Sequence, residues 1–286
     1  MKFPAVIHFQ LTSQCNNRCR HCFGPDKNIL DMKTEELEKI FKLLSLGGVK
    51  NILLTGGEPL MRDDFDVAVK IIKKYDLGIF LDTNGDLFFN HEKIISNNVD
   101  VLGLPIDFPK TSYRNPQNFK TVIKILDFYK NKHSSSPKLR ILTTVTKENI
   151  DKLFDIGELI KSYPIDLWKL IQFLPLRGNA LKNKKRLEIS QLEFNKSTQS
   201  MNKAFKKIFK IISVGREDRN KAYFFIQSNG EVFISVDTGK KCYNQIIGHI
   251  FDRGIEERWH KLALLSKYKK SIRDFEELLN RNLCTF

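Results

Sequence analysis

An apolar run followed by an amphipathic segment recurs six times between residues 5 and 175, and this alternation constrains the fold more than any other feature of the chain. Strands are predicted at 5–11, 51–55, 78–82, 101–107, 139–145 and 167–174. Between them, a helix over 34–46 carries Leu37, Ile40, Phe41 and Leu44 at helical spacing, with Thr34, Glu35 and Glu36 as start signals and Gly47-Gly48 at its end. Asp64 can cap a helix bearing Phe65, Val69 and Ile72, and further helices are predicted over 91–98, 119–132 and 149–163. Pro105 interrupts the fourth strand near its end, residues 133–138 form a polar connection, and Pro164 and Pro175 stop the last helix and strand. Strands apolar on both faces belong to parallel sheets covered by helices. Six repeats are two short of a full (β/α)8 barrel. The class is therefore α/β, a partial (β/α)6 TIM barrel over residues 1–175, with an α+β C-terminal extension over residues 176–286 covering it.

The extension has a different texture. Residues 176–186 are polar and basic and read as a loop. Ser190 and Glu193 form a capping-box pattern for a helix running to about residue 211. Two strands, 223–227 and 231–236, flank Ser228-Asn229-Gly230, a strong hairpin signal. A charged helix over 256–269 follows, with another toward the end of the chain.

Cys15, Cys19 and Cys22 stand in a C-x3-C-x2-C run directly after the first strand. Three thiolates on one tight loop can hold three irons of a [4Fe–4S] cube and leave the fourth open to a small molecule. Zinc is a rival, but structural zinc sites take four ligands, often as two separated pairs, and His21 lies between two of these cysteines. A disulfide set is a second rival. Only Cys242 and Cys284 remain elsewhere, and five cysteines in a long chain without a signal peptide suggest a reducing compartment. One repeat later, Gly56-Gly57-Glu58-Pro59 ends the second strand. Its glycines permit close backbone approach, Glu58 supplies an acceptor and Pro59 fixes the exit.

The two motifs together resemble the radical S-adenosylmethionine (SAM) superfamily, whose signature is C-x3-C-x-aromatic-C, with His21 in the aromatic slot. The resemblance implies one [4Fe–4S] cluster on Cys15, Cys19 and Cys22, with SAM chelating the open iron. An external electron donor such as flavodoxin or ferredoxin is implied, as is a 5′-deoxyadenosyl radical that abstracts hydrogen from a substrate. It also implies that Gly56, Gly57, Glu58 and Pro59 hold the methionyl ammonium, and that Thr83, Asn84 and Asp107 meet the methionyl carboxylate or ribose. Thr144 is a weaker candidate, and Phe23 would shield the cluster. Each has a plainer account. Asn84-Gly85 is a common turn dipeptide, Asp107 precedes Phe108-Pro109, and Phe23 serves equally as a core aromatic.

Lys169 and Gln172 interrupt the apolar sixth strand, and Arg140 begins the fifth. Such groups are costly to bury without partners, so Lys169, with Arg140 as a weaker companion, marks a polar pocket for an anion. A lysine snorkelling outward past a helix is the alternative. The short chain, single cluster and Trp168-Lys169 pair look like the viperin group, which acts on nucleoside triphosphates. Several positions depart from it. Asn51 and Leu167 replace basic residues (Lys50 is one position off), Leu142 replaces an asparagine, and Arg140 takes a lysine position. With half of that anion clamp missing, a different substrate is implied. The tail around Lys241-Cys242 and Ile247-Gly248 resembles a degenerate SPASM extension, whose cysteines ligate auxiliary clusters; Cys242 and Cys284 are too few for a second cube.

A net charge of +15, from 48 Lys+Arg against 33 Asp+Glu, suits an anionic partner or simple solubility. The basic segment 182–210 offers a nucleic-acid surface or, as preferred, an amphipathic helix (Phe205, Ile208, Phe209, Ile212) with a solvated lysine face. No stretch approaches the ~18 apolar residues of a membrane span, so a cytoplasmic protein without membrane partners is expected. The leading reading is a radical SAM enzyme acting on a small anionic molecule. A peptide-modifying maturase is the alternative, and a nucleic-acid-binding protein a remote one.

Overall fold

A computed structural model of the chain describes residues 2–24, 29–108, 116–131 and 137–280. Pro109, Cys284 and residues 133–136 of the polar connection lie outside them. Ten strands form one sheet: β1 Val6–Thr12, β2 Asn51–Gly56, β3 Gly78–Asp82, β4 Val101–Pro105, β5 Lys138–Val145, β6 Leu167–Gln172, β7 Lys210–Val214, β8 Phe225–Ile226, β9 Glu231–Asp237 and β10 Cys242–His249. Their order is β10-β9-β8-β1-β2-β3-β4-β5-β6-β7. All pairings from β8 through β1 to β7 are parallel, and only the β8–β9 and β9–β10 pairings are antiparallel. The sheet does not close, so the fold is a partial barrel of the predicted α/β class.

Eleven helices cover the described chain: α1 Thr34–Leu46, α2 Phe65–Lys74, α3 Glu92–Asn98, α4 Pro116–Asn131, α5 Leu153–Ile160, α6 Gly178–Lys182, α7 Lys184–Leu187, α8 Gln191–Phe205, α9 Ile255–Leu262, α10 Leu265–Ser271 and α11 Arg273–Leu279. The predicted stripe of α1, Leu37, Ile40, Phe41 and Leu44, is buried, and Glu36 Oε2 accepts the Lys33 N–H as half of a capping box. Asp64 occupies the N-cap position of α2 but does not cap it; its carboxylate accepts from Arg62 and Thr34 instead.

Beyond residue 175 the structure corrects several expectations. The loop expected over 176–186 contains α6 and α7. The Ser190–Glu193 capping box is present, but its helix stops at Phe205. The expected continuation toward residue 211 becomes β7, which pairs with β6, so Ile212 faces Lys169 across a sheet instead of lying on a helix. The single helix expected over 256–269 is broken into α9 and α10. The predicted hairpin stands, and it joins β1 through β8. Residues 176–280 thus extend both edges of the sheet, and one apolar core runs from Phe3 to Leu278.

Outward strand faces pack on helices. Trp168 of β6, for example, sits edge-on to Phe205 and Phe209. Inward faces are more polar than expected: β1 alternates buried Ile7, Phe9 and Leu11 with His8, Gln10 and Thr12. Helices α10 and α11 close the amino end of the sheet. Tyr268 Oη accepts the Val6 N–H at 3.1 Å, Lys138 donates to Leu278 O, and Lys210 Nζ meets Glu277 at 2.6 Å.

Candidate active site

The cysteine loop leaves β1 at the carboxyl end of the sheet and is gripped from two sides. On one side lies the end of β2. Gly56 has φ +140°, a conformation that favours glycine, and a Cβ there would stand 2.4 Å from Thr12 O. At Gly57 a Cβ would fall 1.9 Å from Gln14 O. The bare backbone lets Gly57 N–H donate to Thr12 O at 2.8 Å and Glu58 N–H to Gln14 O at 2.7 Å. The close approach read from these glycines is therefore made to the root of the cysteine loop.

On the other side stand α6 and the residues flanking it. Asn179 Nδ2 donates to Cys19 O, Asn183 Nδ2 to Arg20 O, Arg177 Nε to Phe23 O and Ala180 N–H to Cys22 O, all at 3.0–3.3 Å. Four loop carbonyls are thus satisfied by a segment that its polar composition had marked as irregular. The Arg/Asn spacing carries this signal only once the helix is known.

No disulfide joins Cys15, Cys19, Cys22 and Cys242 to one another. Asn17 N–H points at Cys15 Sγ at 3.4 Å and Gly24 N–H at Cys22 Sγ at 3.2 Å. Backbone donors aimed at sulfur orient a ligand side chain. Among the described residues, no three His, Cys, Asp or Glu side chains converge to share one metal ion. A cube takes one thiolate per iron, and the donor set on this loop fits that group.

Glu58 is almost fully buried and its carboxylate accepts from Leu60 N–H (3.2 Å), Thr83 Oγ1 (2.5 Å) and Asn84 N–H (2.7 Å). It ties the end of β2 to the turn after β3. That turn reaches back to the cysteine loop through Asn84, which the sequence singled out, and through Asn16, Asn17 and Asp86, which it did not. Asn84 Nδ2 donates to Asn16 Oδ1 at 2.8 Å, and Asn17 Nδ2 to Asp86 Oδ2 at 2.8 Å. Asn118 of α4 donates to Asn84 O. Asp107 accepts Thr144 N–H at 2.9 Å and stands 4.0 Å from His21 Nε2, so His21 turns from the thiols toward β4 and β5. Phe23 packs between Phe173 and Leu174–Leu176, beside Cys242. Pro59 is buried at the start of a 3-10 turn.

Lys169 and Arg140 lie lower in the barrel. Lys169 Nζ is 2.8 Å from Asp274 Oδ2, and Arg140 bonds Asp274 and, at 2.6 Å, Asp82. Burial works against the Arg140 charge, but Asp82 and Asp274 outweigh it and hold its pKa above the ordinary value. At Lys169 burial prevails despite Asp274 and lowers the pKa. Burial pushes Asp274 up, yet Lys169 and Arg140 more than offset this and keep its carboxyl below the usual range. His8, beside them, is lowered to about 3, by burial first and then by Lys169. Two cations and two carboxylates balance here. Lys169 lies in a buried polar cluster, to which α11 supplies a carboxylate of the chain itself.

Near the mouth, a cavity of ≈ 350 Å³ adjoins the cysteine loop, and its charged lining is wholly basic: Arg177, Lys184, Arg216, Lys240 and Lys241. A neighbouring cavity of ≈ 740 Å³ shares Arg216 and mixes charge, with Glu188, Glu217 and Asp237.

Residues 9–160 match the profile of the Radical SAM superfamily. A relative from Flammeovirga pacifica named S-adenosylmethionine-dependent nucleotide dehydratase is 24% identical over 272 residues, covering 90% of each chain. A GTP 3′,8-cyclase of Clostridium perfringens is 28% identical over 197 residues; the match covers 65% of this chain and 61% of the cyclase, less than two thirds of its length. Among solved structures, anSMEcpe with bound AdoMet superposes with a TM-score of 0.68 at 18% identity, covering 96% of this chain and 87% of that one. Streptococcus suis SuiB bound to its precursor peptide SuiA gives 0.68 at 16% identity, covering 81% and 59%. These likenesses establish the fold. No described helix is long and apolar enough to cross a membrane.

Proposed function

The chain belongs to the radical SAM superfamily and is an enzyme; from that premise we propose that Cys15, Cys19 and Cys22 hold its one [4Fe–4S] cluster and that it acts on a small anionic substrate, nucleotide-like in kind. When bound, such a cluster supplies the electron that cleaves SAM to a 5′-deoxyadenosyl radical. The observation that carries the proposal is the cysteine loop itself, held by Gly56-Gly57 on one side and by Arg177, Asn179 and Asn183 on the other. Donors so placed fix the three thiols before any ligand arrives and lower the entropy lost on binding. Glu58, Thr83, Asn84, Asp107 and Thr144 rim the same mouth, where they would orient SAM, while Phe23 excludes water from the loop.

The basic cleft beside the loop supports an anionic substrate, as does the likeness to a relative named for nucleotide dehydration. The test is anaerobic incubation of the cluster-loaded enzyme with SAM, reductant and deuterated nucleotides or sugar phosphates. Deuterium is expected in 5′-deoxyadenosine with at least one of them; labelling only from neutral compounds would refute the anionic substrate. A peptide substrate is the second reading, favoured by β10, which ends the sheet with an open edge and an exposed Ile246. Deuterium transfer from peptides alone would favour it.

A further inference from the structure

We propose that Arg219 is the charge anchor of the substrate, its guanidinium binding an oxyanion (phosphate or carboxylate) of the molecule held at the barrel mouth; this deepens the function proposed above and rests on it. Arg219 lies on the 3-10 turn Glu217–Arg219 that follows β7, with only 8% of its surface exposed. Its Nη2 donates to Gln172 O at the carboxyl end of β6. Its Nε is buried without an acceptor, and among the described residues no carboxylate pairs with it.

Three nearby acids bond other groups. Asp218 accepts from Gly215 N–H and from Lys270 at 2.7 Å, and Asp237 and Glu188 pair with Arg216. Arg219 is therefore a buried cation with no carboxylate bonded to it: Asp218 acts on it only through space, and a second arginine, Arg216, opposes it. Burial holds its pKa below the ordinary arginine value, but a guanidinium does not give up its proton in a protein. Burying an unpaired charge is expensive. The cost is offset when a ligand brings the missing negative charge, and the planar fork suits the two oxygens of a carboxylate or phosphate.

Position agrees with charge. Arg219 sits at strand ends, where barrel enzymes gather their substrate groups. It is within electrostatic reach of Cys242, which packs with Phe23, the residue after Cys22. It also reaches Tyr223, whose ring lies 4.3 Å from that of His8 inside the barrel. Lys169 and Arg140, the cations that sequence singled out for this task, are neutralised by Asp274 and Asp82.

The test uses anaerobically reconstituted protein and two probes, inorganic pyrophosphate and succinate, read by thermal shift. At least one is expected to raise the melting temperature of the wild type, and R219M to weaken that probe's binding by about tenfold or more, consistent with loss of a charge-assisted pair. A response to pyrophosphate alone identifies a phosphate, and to succinate alone a carboxylate. Equal binding by R219M and wild type, or no response to either probe, overturns the proposal. If R219M does not fold, phenylglyoxal labelling of the wild type decides: the responding anion should protect Arg219, and unprotected labelling overturns it. Visible cluster absorbance and 5′-deoxyadenosine formation by the wild type report separately on the enzyme reading, so the two can fail independently.

Discussion

At the amino end of the sheet, Lys169 and Arg140 are closed off by carboxylates of the same chain, whereas at the carboxyl end Arg219 bonds only a carbonyl and the cysteine loop is held by amides and the Arg177 guanidinium. Both ends bury charge; the amino end bonds each of its cations to a carboxylate, and the carboxyl end does so for Arg216 but not for Arg219. A buried cation in a barrel strand is thus no evidence for a substrate site until its counter-charge has been sought. Helices α10 and α11 make the amino end a sealed floor. The mouth directs its donors at the cysteine loop.

The sharpest way to break this contrast is to remove the floor's carboxylate. D274A leaves two buried cations facing each other, and the expected loss is about 3–5 kcal/mol in urea unfolding. A loss under ~1 kcal/mol would mean that the pair is not a structural device. At the mouth, E58Q presents an amide where three donors converge and should cost about 1.5–3 kcal/mol, with poorer retention of the cluster under chelator challenge. Unchanged stability and retention would show that Glu58 does not tie the turn to the loop.

The floor should also respond to acid through His8. Its folded pKa of about 3 lies below the ordinary 6.5, so the unfolded chain binds more protons between those values. Stability from this group is full above pH 6.5, declines as pH falls and is lost below the folded value. At 1.36 kcal/mol per unit, acidification to about pH 5 removes about 2 kcal/mol. H8F, whose ring suits the surrounding Tyr223, Phe225 and Phe275, should flatten that slope, and identical pH profiles would remove His8 from the account. The smallest effect is expected from N179A, which loses one hydrogen bond to Cys19 O, about 1 kcal/mol. Faster iron loss in this variant than in an exposed-site control such as S200A checks the clamp.

Much of the frame was legible because it is local. The stripe of α1, the six strands and the Ser190–Glu193 cap depend on neighbours within a few residues. The cysteines and the Gly-Gly-Glu-Pro turn were readable as motifs, although the glycines proved to serve the loop's root. What escaped depends on distant partners. Lys210–Val214 continues the helical spacing of Phe205 and Phe209, yet the open edge of β6 recruits it as a strand. Arg140 and Lys169 meet Asp274 across 134 and 105 residues of chain, and no short-range pattern announces that pairing. Arg219 was hidden in a basic sequence, where the lack of a bonded carboxylate becomes visible only in three dimensions.

The central claim is that the clamped loop, and no other thiol, makes this chain a radical enzyme. Its most direct test is 5′-deoxyadenosine formation from SAM and dithionite by anaerobically reconstituted wild type and by C15A, C19A and C22A. The wild type should bind iron and sulfide equivalent to one cluster and form the nucleoside, and each variant should lose both. Nucleoside formation persisting in any of the three, or absent from a cluster-loaded wild type, would contradict the account.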